Sequence, residues 1–241
     1  MRLLKDASLN VAFKLLLMVF ALLTNSLIAR TLGPDGKGIF TLVVTVSGIV
    51  ALLASFGLGS SIVYFLGQKA YPPKVVATHL FFTAFFLGFC VTIIGMVSNF
   101  LAHRTLRLDW LPSPEITLSI GLLMPFLLIK LYGAQIFAGM QNFLHYNLII
   151  LYEAIVLLLL LLFFYFTSSL TAEHALTAFF LSVLVSGIIS WISVGMKIGF
   201  EGFSLKSDLL KTFARYGLRS YAFQLVVTLN LRVDQLMSWG T

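Results

Sequence analysis

The sequence predicts an all-α integral membrane protein with six complete transmembrane helices and the start of a seventh, and three observations predict it. Hydrophobic residues fill 59% of the 241 positions and charged ones only 10%. Mean hydropathy is +1.00, too apolar for a soluble chain to wet its own surface. Apolar runs of about 18 residues or more recur at roughly 35-residue intervals, each long enough to cross hydrocarbon as a helix. Barrel strands are excluded because the runs lack polar alternation, and lipid-exposed backbone must then satisfy itself within a helix.

Each element follows from its apolar length and its breakers. Span one runs from Leu9 to Ala29, too long for the apolar core of a secretory leader, and reads as a retained start-transfer segment. "GPDGKG", Gly33 to Gly38, turns the chain into span two, Gly38 to Leu66; Pro34 sets φ there and Gly36 is expected to accept a positive φ. "GQKAYPPK", Gly67 to Lys74, leads to span three, Val75 to Phe100, and "LPSPE", Leu111 to Glu115, to span four, Ile116 to Ala138. "GMQNFLHYN", Gly139 to Asn147, precedes span five, Leu148 to Thr167, and span six is Ala172 to Val194.

Between Lys197 and Arg215, Leu205, Leu209, Leu210 and Phe213 recur at helical spacing beside Lys206, Lys211 and Arg215, the pattern of an interfacial amphipathic helix. Span seven begins near Gly217 and is still running at Thr241. The expected organisation is a six-helix transmembrane unit over 1–195, a cytosolic amphipathic linker over 196–216, and over 217–241 the start of helix seven in a chain that reads as truncated.

The net charge of +7 is distributed as membrane topology requires rather than as a nucleic-acid stripe. With the amino terminus in the cytosol, that side holds Arg2, Lys5, Lys14, Lys69, Lys74, Lys197, Lys206, Lys211, Arg215 and Arg219, ten cations against four outside, Arg30, Lys37, Arg104 and Arg107. The positive-inside rule selects this orientation and a multi-pass protein of the cytoplasmic membrane. The single cysteine, Cys90, excludes an intrachain disulfide and a cysteine-rich metal site.

Short motifs exclude several activities. A phosphate-binding Walker loop needs four residues between its glycines and a hydroxyl residue after Lys, whereas Gly33 and Gly36 are too close and Gly38 follows Lys37. Intramembrane enzymes need convergent catalytic groups at one depth, but His79, His103, His145 and His174 are scattered in or beside loops on both sides. No HExxH, GxSxG or paired acidic motif occurs, so neither catalysis, a metal nor a cofactor is expected.

Polar groups inside spans are costly and therefore the best site candidates. At 100° per residue Asn10, Lys14, Ala21, Thr24 and Asn25 share an arc of roughly 100° on span one, a stripe expected to face a cavity or another helix. Lys14 is also close enough to the cytosolic end to snorkel. Arg30 falls off this stripe, at the outer end, where anchoring to headgroups outweighs ligand binding. Lys130 lies about 12 Å inside span four and Glu153 about 9 Å inside span five, matched depths for an ion pair across the hairpin. Two roles stay open for them: a neutralised structural contact, or Lys130 on an anionic substrate with Glu153 in ion coupling. In span seven Arg232 and Asp234 are two residues apart on opposite faces, so each needs a partner elsewhere.

With these residues in view the chain resembles the polysaccharide flippases of the multidrug/oligosaccharidyl-lipid/polysaccharide (MOP) exporter superfamily. The resemblance rests on "ARTLGPDGKGIF" (Ala29 to Phe40), "FGLGSSIVYFLG" (Phe56 to Gly67), "AGMQNFLHYN" (Ala138 to Asn147) and "LNLRVDQLM" (Leu229 to Met237), in that order. It implies the amino-terminal lobe of a two-lobed transporter of 12 or 14 spans, exporting a polyprenyl-(pyro)phosphate-linked oligosaccharide for surface polysaccharide such as the O-antigen of lipopolysaccharide. Lys14, Asn25, Lys130 and Arg232 are then candidates to line the cavity, Glu153 and Asp234 to couple ions or pair. Arg30, Gly33, Pro34, Gly36 and Gly38 carry over as a structural signature. The implied partners are the lipid-linked glycan, membrane lipids and glycan polymerases or glycosyltransferases, with no nucleic acid. An ion-coupled drug exporter of the MATE type and a non-transporting scaffold for glycan assembly are the alternatives.

Overall fold

The computed structural model describes residues 2–101, 114–167, 169–202, 208–219 and 221, and every regular element among them is an α-helix. The first, α1 (Arg2–Ala54), has 53 residues, about 80 Å at 1.5 Å per residue and more than twice the hydrocarbon thickness. It is two spans joined at Gly33, whose φ of 68° and ψ of −172° interrupt the helix. Pro34 follows at the opening of the second limb, where a missing N–H costs no helical bond. Both limbs line one cavity, through Phe20 and Ala21 on one side and Val44 and Thr45 on the other. A straight rod would hold Phe20 and Thr45 about 38 Å apart, so the second limb returns beside the first.

The corner is therefore tighter than the sequence suggests. The positive φ expected at Gly36 belongs to Gly33, while Gly36 and Gly38 are already helical. Span two also differs from a single helix over Gly38 to Leu66. The backbone bends at Phe56 (φ 46°) and Gly57 (φ 69°), and a separate α2 (Leu58–Gly67) begins there.

The rest of the bundle is α3 (Pro73–Leu101), α4 (Pro114–Gly139), α5 (Phe143–Thr167), α6 (Ala172–Lys197) and a helix α7 described over residues 208–219. Five of these helices are long and apolar enough to cross a membrane, and α1 is long enough to do so twice. The α4–α5 connection is shorter than "GMQNFLHYN" implied, since Phe143 to Asn147 are helical. Gln141, at φ 58°, reverses the chain, Asn142 N–H donates to Phe137 O at 2.8 Å, and the Asn142 side chain faces the N–H of His145 at 3.4 Å.

Helix α4 is the centre, packed against α2, α3, α5, α6 and α1. Its contact with α6 uses small residues because lipid supplies no hydrophobic force between helices, and close van der Waals packing must do so instead. Ser182, Ser186 and Ser190 are buried at four-residue spacing on α6, and a Cβ on Gly133 would lie 2.0 Å from Ser190 Oγ. Leu15, Leu22, Phe86, Phe89, Ile94 and Phe166 remain exposed, as side chains facing acyl chains should.

Helix α7 seats on the α2 bend. Leu209 and Phe213 are buried, while Asp208, Lys211, Arg215 and Arg219 stay outside. Ser61 Oγ donates to Phe213 O at 2.6 Å, Phe65 stacks on Phe213 and Tyr64 on Tyr216. Gly217 is inside α7 rather than at its boundary and lies against the backbone of Gly57.

Candidate functional site

A cavity of about 670 Å³ opens between both limbs of α1 and helices α5 and α6. Its polar wall is Thr24, Asn25, Thr41, Thr45 and Glu153; Phe20, Phe40, Leu157 and Phe179 are among the apolar residues that complete it. The stripe on the first limb places three of these features. Ala21, Thr24 and Asn25 reach the cavity, with Asn25 Nδ2 donating to Ala21 O at 2.9 Å and Thr24 buried. At the other end of the stripe Asn10 accepts a hydrogen bond from the buried Asn147 on α5. One stripe thus meets a helix at one end and the cavity at the other.

Lys130 and Glu153 form an ion pair, Nζ donating to Oε2, with 20% and 21% of their side chains exposed. Their meeting follows from the short α4–α5 turn. Lys130 lies nine residues before the end of α4 and Glu153 ten after the start of α5, about 14 and 15 Å from the same end of the bundle. Glu153 lines the cavity, whereas Lys130 approaches through its partner. Two desolvated charges at this depth are tolerable only because they neutralise each other.

The other candidates separate from this group. Lys14 is exposed on the first limb and is not part of the cavity wall. Arg30 is exposed at the corner, beside the exposed Pro34 and the half-buried Gly33, Gly36 and Gly38. Arg232 and Asp234 lie outside the described residues. Among the described residues no group of three or more His, Cys, Asp or Glu is placed to hold a metal ion.

Sequence reasoning missed Thr41 and Thr45, because a threonine in an apolar span carries little signal until its face is known. It also missed Asn147, which it placed in a loop. Tyr132, fully buried two residues from Lys130, has a hydroxyl without a hydrogen-bond partner among the described residues. A tyrosine inside an apolar run was the available signal.

Membrane-length helices around a part-polar cavity, with an ion pair inside the bundle, define a multi-pass membrane protein. The chain belongs to the polysaccharide biosynthesis protein family, whose model matches residues 3–238. Its fold is similar to that of an outward-facing multidrug resistance MATE family transporter of the MOP superfamily, with 20% identity and a TM-score of 0.67 over 91% of this chain and 52% of that one. It is also similar to a MOP superfamily transporter from Pyrococcus furiosus, described by the reversed polarity of its binding pocket, with 21% identity and a TM-score of 0.64 over 86% and 49%. A MATE protein in the straight conformation matches with 19% identity and a TM-score of 0.63 over 87% and 49%. The chain thus spans about half the length of these transporters. A comparison with curated proteins finds no match.

Proposed function

We propose that the complete protein moves a polyprenyl-phosphate- or pyrophosphate-linked oligosaccharide across the cytoplasmic membrane by alternating access, for cell-surface polysaccharide such as O-antigen. The observation that carries this reading is the Lys130–Glu153 pair at the wall of a part-polar cavity, in a chain of the polysaccharide biosynthesis family. A phosphate needs a cation in low dielectric, and sugar hydroxyls need polar partners, while the prenyl tail stays in lipid. Thr24, Asn25, Thr41 and Thr45 offer hydroxyls and an amide to the sugar, and Lys130, behind Glu153, offers the charge.

Glu153 stands between Lys130 and the cavity and so acts as the coupling group. Protonating the carboxylate, or binding a cation there, releases Lys130 for the phosphate; recovery of the pair expels the phosphate. Lys14, Arg232 and Asp234 would add charge along the path, with the amino terminus in the cytosol. Glycosyltransferases would supply the cargo and a polymerase would consume it. The chemistry is transport, with no bond made or broken by the chain.

Full-length protein in liposomes with a labelled polyprenyl-linked glycan tests this. The wild type is expected to translocate the glycolipid, and Lys130→Ala to stop it at equal membrane abundance. Normal translocation by Lys130→Ala overturns the cavity assignment.

A second reading, a MATE-like exporter of cations, is favoured by the carboxylate rather than the lysine lining the cavity. It expects Lys130→Ala to retain efflux of a cationic dye and Glu153→Gln to lose it. If neither cargo moves, the scaffold reading remains.

A further inference from the structure

A second cavity, of about 430 Å³, lies between α3 and the segment after α6, away from the Lys130–Glu153 site. Gly199, at φ 80°, turns the chain back so that Phe200 and Glu201 lie over α3. Glu201 N–H donates to Thr78 Oγ1 at 3.0 Å, and the same hydroxyl lies 3.2 Å from Glu201 O, so the backbone of this turn is pinned. The walls are aromatic and set at angles to one another: Phe81 to Phe200 at 76° and 5.3 Å, Phe81 to Trp191 at 39° and 6.3 Å, Phe85 to Trp191 at 73° and 6.2 Å. Glu201 is exposed at the rim, and among the described residues no cation pairs with it.

Angled aromatic walls with a carboxylate bind an ammonium group, through the ring faces and a charge-assisted hydrogen bond. Depth identifies its source. Helix α3, with 29 residues, is about 44 Å long against about 30 Å of hydrocarbon, so roughly 7 Å projects at each end. Thr78, about 8 Å from the start of α3, therefore lies at the boundary between headgroups and acyl chains, with Glu201 beside it. Lys74 is exposed at the same turn, its Cε 3.6 Å from the position of a Cβ on Gly199, where a phosphate next to that ammonium would sit. Phe82 lines both this cavity and an adjoining apolar groove of about 560 Å³ formed with Phe56, Phe86 and Leu210.

We propose that this is a phospholipid site selective for an ethanolamine headgroup: ammonium on Glu201 and the ring faces, phosphate toward Lys74, one acyl chain along the Phe82–Phe86 groove. A primary ammonium can donate to the carboxylate and a quaternary one cannot. The site is independent of the transported cargo.

Native mass spectrometry of the full-length protein, in micelles doped equally with phosphatidylethanolamine, phosphatidylcholine and phosphatidylglycerol, reads the preference directly. Phosphatidylethanolamine is expected to be retained several-fold over the other two. Glu201→Gln should abolish that preference with unchanged thermal melting, because Thr78 holds the backbone and not the carboxylate. Trp191→Leu should lower retention as well. Equal retention, a preference for either other lipid, or a preference that survives Glu201→Gln overturns the proposal.

Discussion

Lys130 Nζ donates to Glu153 Oε2 across the α4–α5 interface, and each side chain keeps only about a fifth of its surface. Removing one charge leaves the other uncompensated in low dielectric. For a fully buried pair the loss is about 3–5 kcal/mol, and partial exposure lowers it here to about 1–3 kcal/mol. Lys130→Ala and Glu153→Ala should each lower the melting temperature in detergent, and the double variant Lys130→Met/Glu153→Leu should recover most of it. The charge swap Lys130→Glu/Glu153→Lys should recover stability yet fail in glycolipid translocation, because the cation then faces the cavity permanently.

Gly33 is predicted to resist replacement at the α1 corner on conformational grounds alone. Its φ of 68° with ψ of −172° lies in a region open essentially to glycine alone. A Cβ there would meet nothing within 4 Å, so the cost is purely conformational. Gly33→Ala and Gly33→Asn should both lose about 1–3 kcal/mol, since asparagine eases only the left-handed helical region. Pro34→Ala should change stability little, a comparison that thermal melts of the three variants settle.

The Gly57–Gly217 approach should decide whether α7 stays docked. A Cβ on Gly57 would lie 2.4 Å from Gly217 O, and one on Gly217 would lie 2.8 Å from Gly57 O. Both obstacles are backbone and cannot rotate away. Alanine at either position should therefore release α7, seen as faster proteolysis within residues 208–219 while the six spans remain resistant.

Gly133 and Ser190 set the α4–α6 spacing. Gly133→Ala should lower the melting temperature moderately, because the new methyl would fall 2.0 Å from Ser190 Oγ, which must turn away and give up its hydrogen bond to Ile129 O. The distance to Ser190 Cβ is 3.4 Å, an ordinary contact. Adding Ser190→Ala should therefore rescue most of the melting temperature, and failure to rescue would place the clash elsewhere.

The ion pair was legible before any coordinates, because a hairpin with a short turn equates depth with distance along the chain. Which partner faces the cavity was not legible, since that depends on how α4 and α5 rotate about their axes. The same limit explains Thr41, Thr45 and Asn147. Their positions were visible, but a misplaced helix start moved Asn147 into a loop, and a missing face hid the threonines. The split of span two was hidden for another reason. Gly57 could sit in a helix or break it, and only the approach of Gly217, far along the chain, requires the break.

By itself the sequence determined that the chain crosses a membrane as helices, roughly where each begins, and that one stripe of span one is polar. Those are local properties, set by apolar length, by breakers and by the need of backbone in lipid to bond to itself. Only the tertiary structure decided that the stripe meets Asn147 at one end and a cavity at the other, that Glu153 covers Lys130, and that α7 returns to close on Gly57. Those are relations between helices, set by rotation and close packing over distances that no local pattern encodes.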